Sequence, residues 1–261
     1  MTVASMPTWR SATGLARWAA LLGFALAIVA LGMLAAGPIG WRAGWWHYRI
    51  GLQTLMPYAF YVGLAAVAIS ALALIFTARS ASRGAIVLAV LGLLIGSTAA
   101  YLPWHWSNQR GLYPPFNDIT TDLDNPPSLA FSEEARRAEH ASSAAYGGPG
   151  VAALQKKSYP DIAPVTLDLP PAQAFDRALS VAKARGWTIV KADASAGSIE
   201  ADDTSRWFGF TDDVAIRVTP SGNGSRIDIR SGSRQGRGDF GVNAARVRAY
   251  LAALRDSALS R

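Results

Sequence analysis

Residues 210–231 read FTDDVAIRVTPSGNGSRIDIRS, two alternating apolar and polar runs separated by the turn-forming stretch PSGNGS. Alternation with a period of two marks a strand with one face in a core, and glycine and asparagine between two such runs mark a hairpin. Centring the turn pairs Val218 with Ile227, Arg217 with Asp228 and Ile216 with Ile229. Ile216, Val218, Ile227 and Ile229 then share one face. Arg217, Asp228 and Arg230 share the other, where Arg217 and Asp228 can pair across strands.

Reading outward from the hairpin, VTLDL (Val165–Leu169) alternates as a strand. The run PPAQAFDRALSVAKARG opens with proline at a helix entrance and closes on Gly186 as a C-cap, with Ala174, Phe175, Ala178, Leu179 and Ala182 along one face. WTIVKAD and GSIEADD supply two more short strands, and a last helix spans about Val242–Asp256, with Val247, Tyr250, Leu251 and Leu254 as its apolar face. The order β-α-β-β-β-β-α predicts an α+β class: a two-layer domain over 159–261, in which an antiparallel sheet carries two main helices on one face.

The first hundred residues obey different rules. Trp18–Ala36, Pro57–Ala78 and Gly84–Trp104 contain no charged residue and are long enough to cross a bilayer, which takes about 20 residues of helix. Small residues recur along them, and Trp41, Trp45, Trp46, Tyr48, Trp104 and Trp106 gather at their ends, as in an interfacial aromatic belt. The first run has 19 residues, longer than the roughly 7–15 of a signal-peptide core, so it reads as a span. Residues 1–104 are therefore expected to form a three-span membrane region. Residues 105–158, rich in proline and Asx, are expected as an extended connector, with a short helix after an N-cap at Ser132 that is stopped by Gly147, Gly148, Pro149 and Gly150.

Charge follows the same division. No Asp or Glu precedes Asp118, whereas Arg10, Arg17, Arg42, Arg49, Arg79, Arg83 and Arg110 do, so the whole net charge of +7 comes from the membrane region. A nucleic-acid partner is accordingly not expected. Arg10, Arg17, Arg79 and Arg83 fall on one side of the spans and Arg42, Arg49 and Arg110 on the other. The bias predicts a multi-pass inner-membrane protein with its C-terminal domain on the periplasmic, extracytoplasmic side.

GRGDFG (Gly236–Gly241) matches G-x-G-x-x-G, but a dinucleotide site needs glycines directly after a strand, a second parallel strand and an acid about 20 residues on. Here the strand run ends near Ser231 and the final helix leaves no room for that strand. The embedded RGD reads as coincidence. The wider run RSGSRQGRGDFGVN still places Arg230, Arg234 and Arg237 ahead of a helix N-terminus, a combination that suits an anion. The competing reading has Asp239 or Asn243 capping that helix while the arginines pair with Asp202, Asp203, Asp212 and Asp213.

Cysteine is absent, and His47, His105 and His140 have no metal-ligand spacing, so no metal site, catalytic triad or cofactor is expected. The blocks FNDITTDLDNPPSL, YPDIAP, AFDRAL, FTDDVAIRV and DIRSGSRQGRGDFGVNAARVRAYL resemble, in order, the bacterial domain-of-unknown-function 1499 family over about Phe116–Leu254. The resemblance implies no activity. It implies that Asp212, Asp213, Arg217, Arg230, Ser231, Ser233, Arg234, Gly236, Asp239, Asn243 and Arg246 occupy the family's polar positions, and that Asn117, Asp118 and Thr120 pack near the arginine-rich loop.

The leading expectation is a non-enzymatic membrane protein whose partners are the lipid bilayer and an anionic small molecule, lipid headgroup or envelope protein. The ligand-binding candidates are Arg217, Arg230, Ser231, Ser233, Arg234, Asp239, Asn243 and Arg246, with Asp212 and Asp213 as an acidic cluster. The alternative is a hydrolase acting on an anionic substrate, with Asp212, Asp213 and Asp239 as acid/base groups and Arg230 and Arg234 as clamps. In a third, purely structural reading the cluster is a salt-bridged determinant of the fold.

Overall fold

The computed structural model describes residues 9–77 and 83–259 and divides the chain into two compact units, 1–110 and 111–261. In the first unit three long helices pack together: α1 (Trp9–Arg42), α2 (Met56–Thr77) and α3 (Arg83–Gln109). Each is long and apolar enough to cross a membrane. Ala78 and Arg79, at the end of the second expected span, lie outside the described residues. The helices approach closely because small residues meet. A Cβ added at Gly23 or at Gly92 would fall 2.4 Å from the buried Ser70 Oγ, and one at Gly63 would fall 2.9 Å from the Gly96 carbonyl oxygen. A π-helical segment, Ile50–Leu55, leads into α2, with the Met56 N–H donating to the Gly51 carbonyl.

The second unit is built on one sheet of six antiparallel strands. β6 (Gly224–Ser233) is its axis. One edge pairs with β5 (Thr211–Ser221), followed by β4 (Ser198–Thr204) and β3 (Thr188–Asp193). The other edge is shared end to end by β1 (Asp118–Thr120) and β2 (Val165–Leu167). The central hairpin has the expected register, Val218 opposite Ile227, Arg217 opposite Asp228 and Ile216 opposite Ile229, and turns on Gly222 at φ +56°. Ile216, Val218, Ile227 and Ile229 are buried against α6 (Pro171–Ala184) and α7 (Val242–Leu259). The order β2-α6-β3-β4-β5-β6-α7 is the expected one and the class is α+β. Tyr250 of α7 stacks on Trp187 and donates to the Ala178 carbonyl at 3.0 Å, joining both helices to one core. Burial of each such large apolar side chain stabilises the fold by about 1.5–3 kcal/mol.

The expected connector is corrected by the structure. Residues 111–158 belong to the second unit and carry β1, α4 (Ser132–Ala138) and α5 (Gly148–Ser158). Gly147 and Gly148 begin α5 rather than stop a helix, with Gly148 at φ +73°. Ser132 is not the N-cap of α4. It is the first helical residue, and the cap is supplied from another element: Glu200 of β4 accepts the N–H groups of Phe131 and Ser132. Leu129 and Ala144 pack with Ala215 on the sheet face away from α6 and α7, so polypeptide covers both faces. Gln155 of α5 closes the outer edge of β1, accepting from the Thr120 N–H at 3.0 Å and donating to the Thr120 carbonyl at 2.6 Å. That amide stands where a further strand would otherwise pair.

Candidate functional site

Register places two pairs of aspartates directly opposite each other on adjacent strands, Asp202 with Asp213 and Asp203 with Asp212. Like charges facing across a sheet are destabilising unless cations intervene. Successive residues point to opposite faces, so the two pairs need cations from opposite sides.

On the face toward α4, Asp213 is fully buried and held by two guanidinium groups. Arg234 reaches it through Nη2 at 2.6 Å and Nε at 3.0 Å, and Arg136 of α4 reaches it through Nε. Arg234 also donates to Asp202 at 2.9 Å and to Glu139 at 2.6 Å, while Arg136 donates to the Gly232 carbonyl at 2.8 Å. Burial pushes Asp213 up, but the Arg234 hydrogen bonds and the Arg136 charge outweigh it and hold its carboxyl below the usual range. Asp202 goes the other way. Burial first, then the hydrogen-bonded Asp213, push it from 3.8 to about 6 against the pull of Arg234. Its Oδ1 is buried without a partner. Two arginines face three carboxylates here, so a single proton on Asp202 both balances the cluster and supplies the donor that the aspartate pair lacks.

On the face toward α7, Arg246 bridges the second pair, donating to Asp212 at 2.7 Å and to Asp203 at 2.8 Å. Its remaining N–H groups reach the Ser231 hydroxyl and Asn243 Oδ1, and Asn243 in turn donates to the Ser233 hydroxyl at 2.8 Å. The N-terminus of α7 is already occupied. Asp239 accepts from the Asn243 N–H at 2.6 Å and from the Gly241 N–H at 3.0 Å, and burial raises its carboxyl despite those bonds.

Two further clamps lie along β6. Arg230 makes a bidentate pair with Asp118 at 2.9 and 2.7 Å, donates to the Ala144 carbonyl and stacks over the Tyr146 ring. Burial and the nearby Asp118 push the Tyr146 phenol up to about 12. Arg217 donates to Asp122 at 2.8 Å and to its cross-strand partner Asp228 at 3.3 Å, and Arg226 grips Asp228 through two bonds. Asn117 donates to the Gly236 carbonyl, so Asn117, Asp118 and Thr120 do lie by the arginine-rich loop and β6.

The structure therefore gathers the sequence-derived candidates into separate polar clusters on the two faces of one sheet, and gives each an internal partner. Arg230, Arg234 and Arg246 are buried and ion-paired, and the carboxyl of Asp239, rather than an outside anion, fills the helix N-terminus. Arg237 differs: it is exposed, on a loop set by Gly236 at φ +84°. Sequence reasoning missed Arg136, Glu139 and Glu200, because they lie in or opposite the stretch read as connector. The available signal was the charge count in the sheet, where adjacent acid pairs call for more arginine than β6 contains.

No curated protein matches the chain. A solved structure similar to part of it, the crystal structure of Ara h 8.0201, covers 38% of this chain and 95% of its own length at 12% identity and a TM-score of 0.23, too remote a likeness to carry an argument. The family model described as "Protein of unknown function (DUF1499)" matches residues 118–254, which span β1 to α7 and every clamp described above, and the chain belongs to that family.

Proposed function

We propose that this is a multi-pass inner-membrane protein whose DUF1499 domain lies on the extracytoplasmic side and recognises an anionic partner through the loop around Arg237. In this reading the buried arginines are structural clamps. One observation carries it: Arg230, Arg234 and Arg246 are neutralised from within the domain, while Arg237 on the same arginine-rich stretch stays exposed. A free guanidinium on a glycine-shaped loop offers five donors to a phosphate or carboxylate without breaking an internal ion pair. The side assignment rests on the arginine bias about the spans, and an alkaline phosphatase fused at the C-terminus should be active in cells if it holds.

Native mass spectrometry of the detergent-extracted protein tests the recognition. A mass retained by wild type and lost by Arg237→Ala supports it; retention by that variant, with loss only on Arg234→Ala in a folded protein, moves recognition to the buried cluster. The hydrolase reading keeps one specific observation, the raised and partly unpartnered carboxyl of Asp202. It requires turnover of a phosphate ester such as 4-nitrophenyl phosphate that Asp202→Asn abolishes.

A further inference from the structure

The first unit contains a surface cavity of about 250 Å³ between the start of α2 and the end of α3. Its walls are apolar and aromatic, with Met56, Phe60, Tyr61, Trp104 and Trp106 among them, and Arg110 stands at its rim. Pro57, in the first turn of α2, and Pro103, inside α3, line it from the two helices, and a proline offers no N–H to the carbonyl four residues earlier. Leu52, from the wider π-helical turn that precedes α2, lines it as well.

From these features we infer that the cavity is a binding site for an anionic glycerophospholipid, an acyl chain lying along Met56 and Phe60 and the phosphate meeting Arg110. Charge decides the ligand class. No Asp or Glu occurs before Asp118, so the unit holds no carboxylate to neutralise Arg110, which is exposed. Depth agrees with this. The apolar run of α3 ends at Trp104, and five further residues of helix carry the chain about 7.5 Å along its axis to Gln109, with Arg110 next in sequence. Tryptophan at the hydrocarbon boundary with an arginine beyond it is the arrangement in which tails and phosphates are met together. The inference rests on the three helices crossing a bilayer, and is independent of the Arg237 loop.

The test is native mass spectrometry of the full chain in mixed micelles holding equal phosphatidylglycerol and phosphatidylcholine. Wild type should retain the anionic lipid about fivefold over the zwitterionic one, the factor given by roughly 1 kcal/mol for a cation near an anionic headgroup. Arg110→Gln should abolish the preference, whereas Arg83→Gln, at the opposite end of α3, and Arg237→Ala should keep it. Met56→Trp, which fills the groove with Arg110 in place, should lower the amount of lipid retained. Equal retention of the two lipids by wild type, an undiminished preference in Arg110→Gln, or unchanged retention in Met56→Trp would each overturn the assignment. Loss of the preference in Arg237→Ala alone would transfer it to the C-terminal domain.

Discussion

Replacing Asp202 by asparagine should stabilise the domain at neutral pH, and the gain should vanish on acidification. Asp202 stands opposite Asp213, and its folded-state carboxyl titrates at about 6 against an ordinary 3.8. That difference corresponds to roughly 3 kcal/mol. Its side chain keeps 22% exposure and its titration depends on the charge of the facing Asp213, so about 1–2 kcal/mol is the expected full effect. The folded value is raised, so the folded chain binds the proton more tightly than the unfolded chain. The resulting stabilisation is complete below the unfolded value of 3.8 and is lost as pH rises through about 6. Asp213, whose value is lowered, has the opposite sign and acts below that window. Burial also raises Glu200 and Asp239, but both are present in wild type and variant and cancel in the comparison. Chemical denaturation of the detergent-solubilised full chain at about pH 5 and about pH 7.5 measures the effect. Between those values wild type should lose about 0.5–1 kcal/mol relative to Asp202→Asn, roughly half of the full effect, because the rest lies between 3.8 and about pH 5. Parallel profiles, or a variant less stable than wild type at the higher pH, would refute the raised titration of Asp202.

Arg234→Ala leaves the buried Asp213 with Arg136 alone and strips Asp202 and Glu139 of their cation. A loss of about 3–5 kcal/mol is expected, or roughly 10 °C in melting temperature, followed by circular dichroism. Asp239→Ala removes the cap of α7 and should cost about 1 kcal/mol, with Asp239→Asn recovering much of it, both read from denaturation midpoints. Gly92→Val would push a side chain into Ser70 and into the backbone of α1, 3.0 Å from the Phe24 nitrogen, so the three-helix unit should separate and become sensitive to limited proteolysis.

The parts of the fold legible in the sequence are those whose signal is local. The β5–β6 register follows from alternation and a two-residue turn, and the three long helices follow from uninterrupted apolar runs. The stretch from 111 to 158 was not legible, because its elements are short and borrow what they need from far along the chain. β1 has three residues and is closed by Gln155; α4 has seven and is capped by Glu200. Neither signal exists within its own window. The candidate site was legible as residues and not as partnerships. The β4–β5 register, which sets Asp202 against Asp213, depends on a connection, SRWFGF (Ser205–Phe210), whose turn the sequence does not specify. Without that register the two acid pairs read as strand-end charges. Asp118 came to light only through the family's block pattern.

That register also explains what so many buried ions do in a domain of this size. A buried ion pair is no more stabilising than well-packed apolar residues of similar volume, so bulk stability is a poor reason for the arrangement. Position is a better one. A slip of one residue between β4 and β5 moves every side chain to the other face of the sheet. Asp213 would then meet α7, where Arg246 stands, and Asp212 would meet the face of Arg136 and Arg234, each with the wrong number of cations. Three arginines from α4, the β6 end and α7 thus accept one alignment of the two acid pairs. They fix at once the register of the sheet, the seat of α7 and the docking of the 111–158 segment, which supplies Arg136. The same arrangement separates support from recognition. Charges spent on holding the register are unavailable to a ligand, which is why the proposed recognition is assigned to Arg237, an exposed arginine on the same stretch as the clamps Arg230 and Arg234.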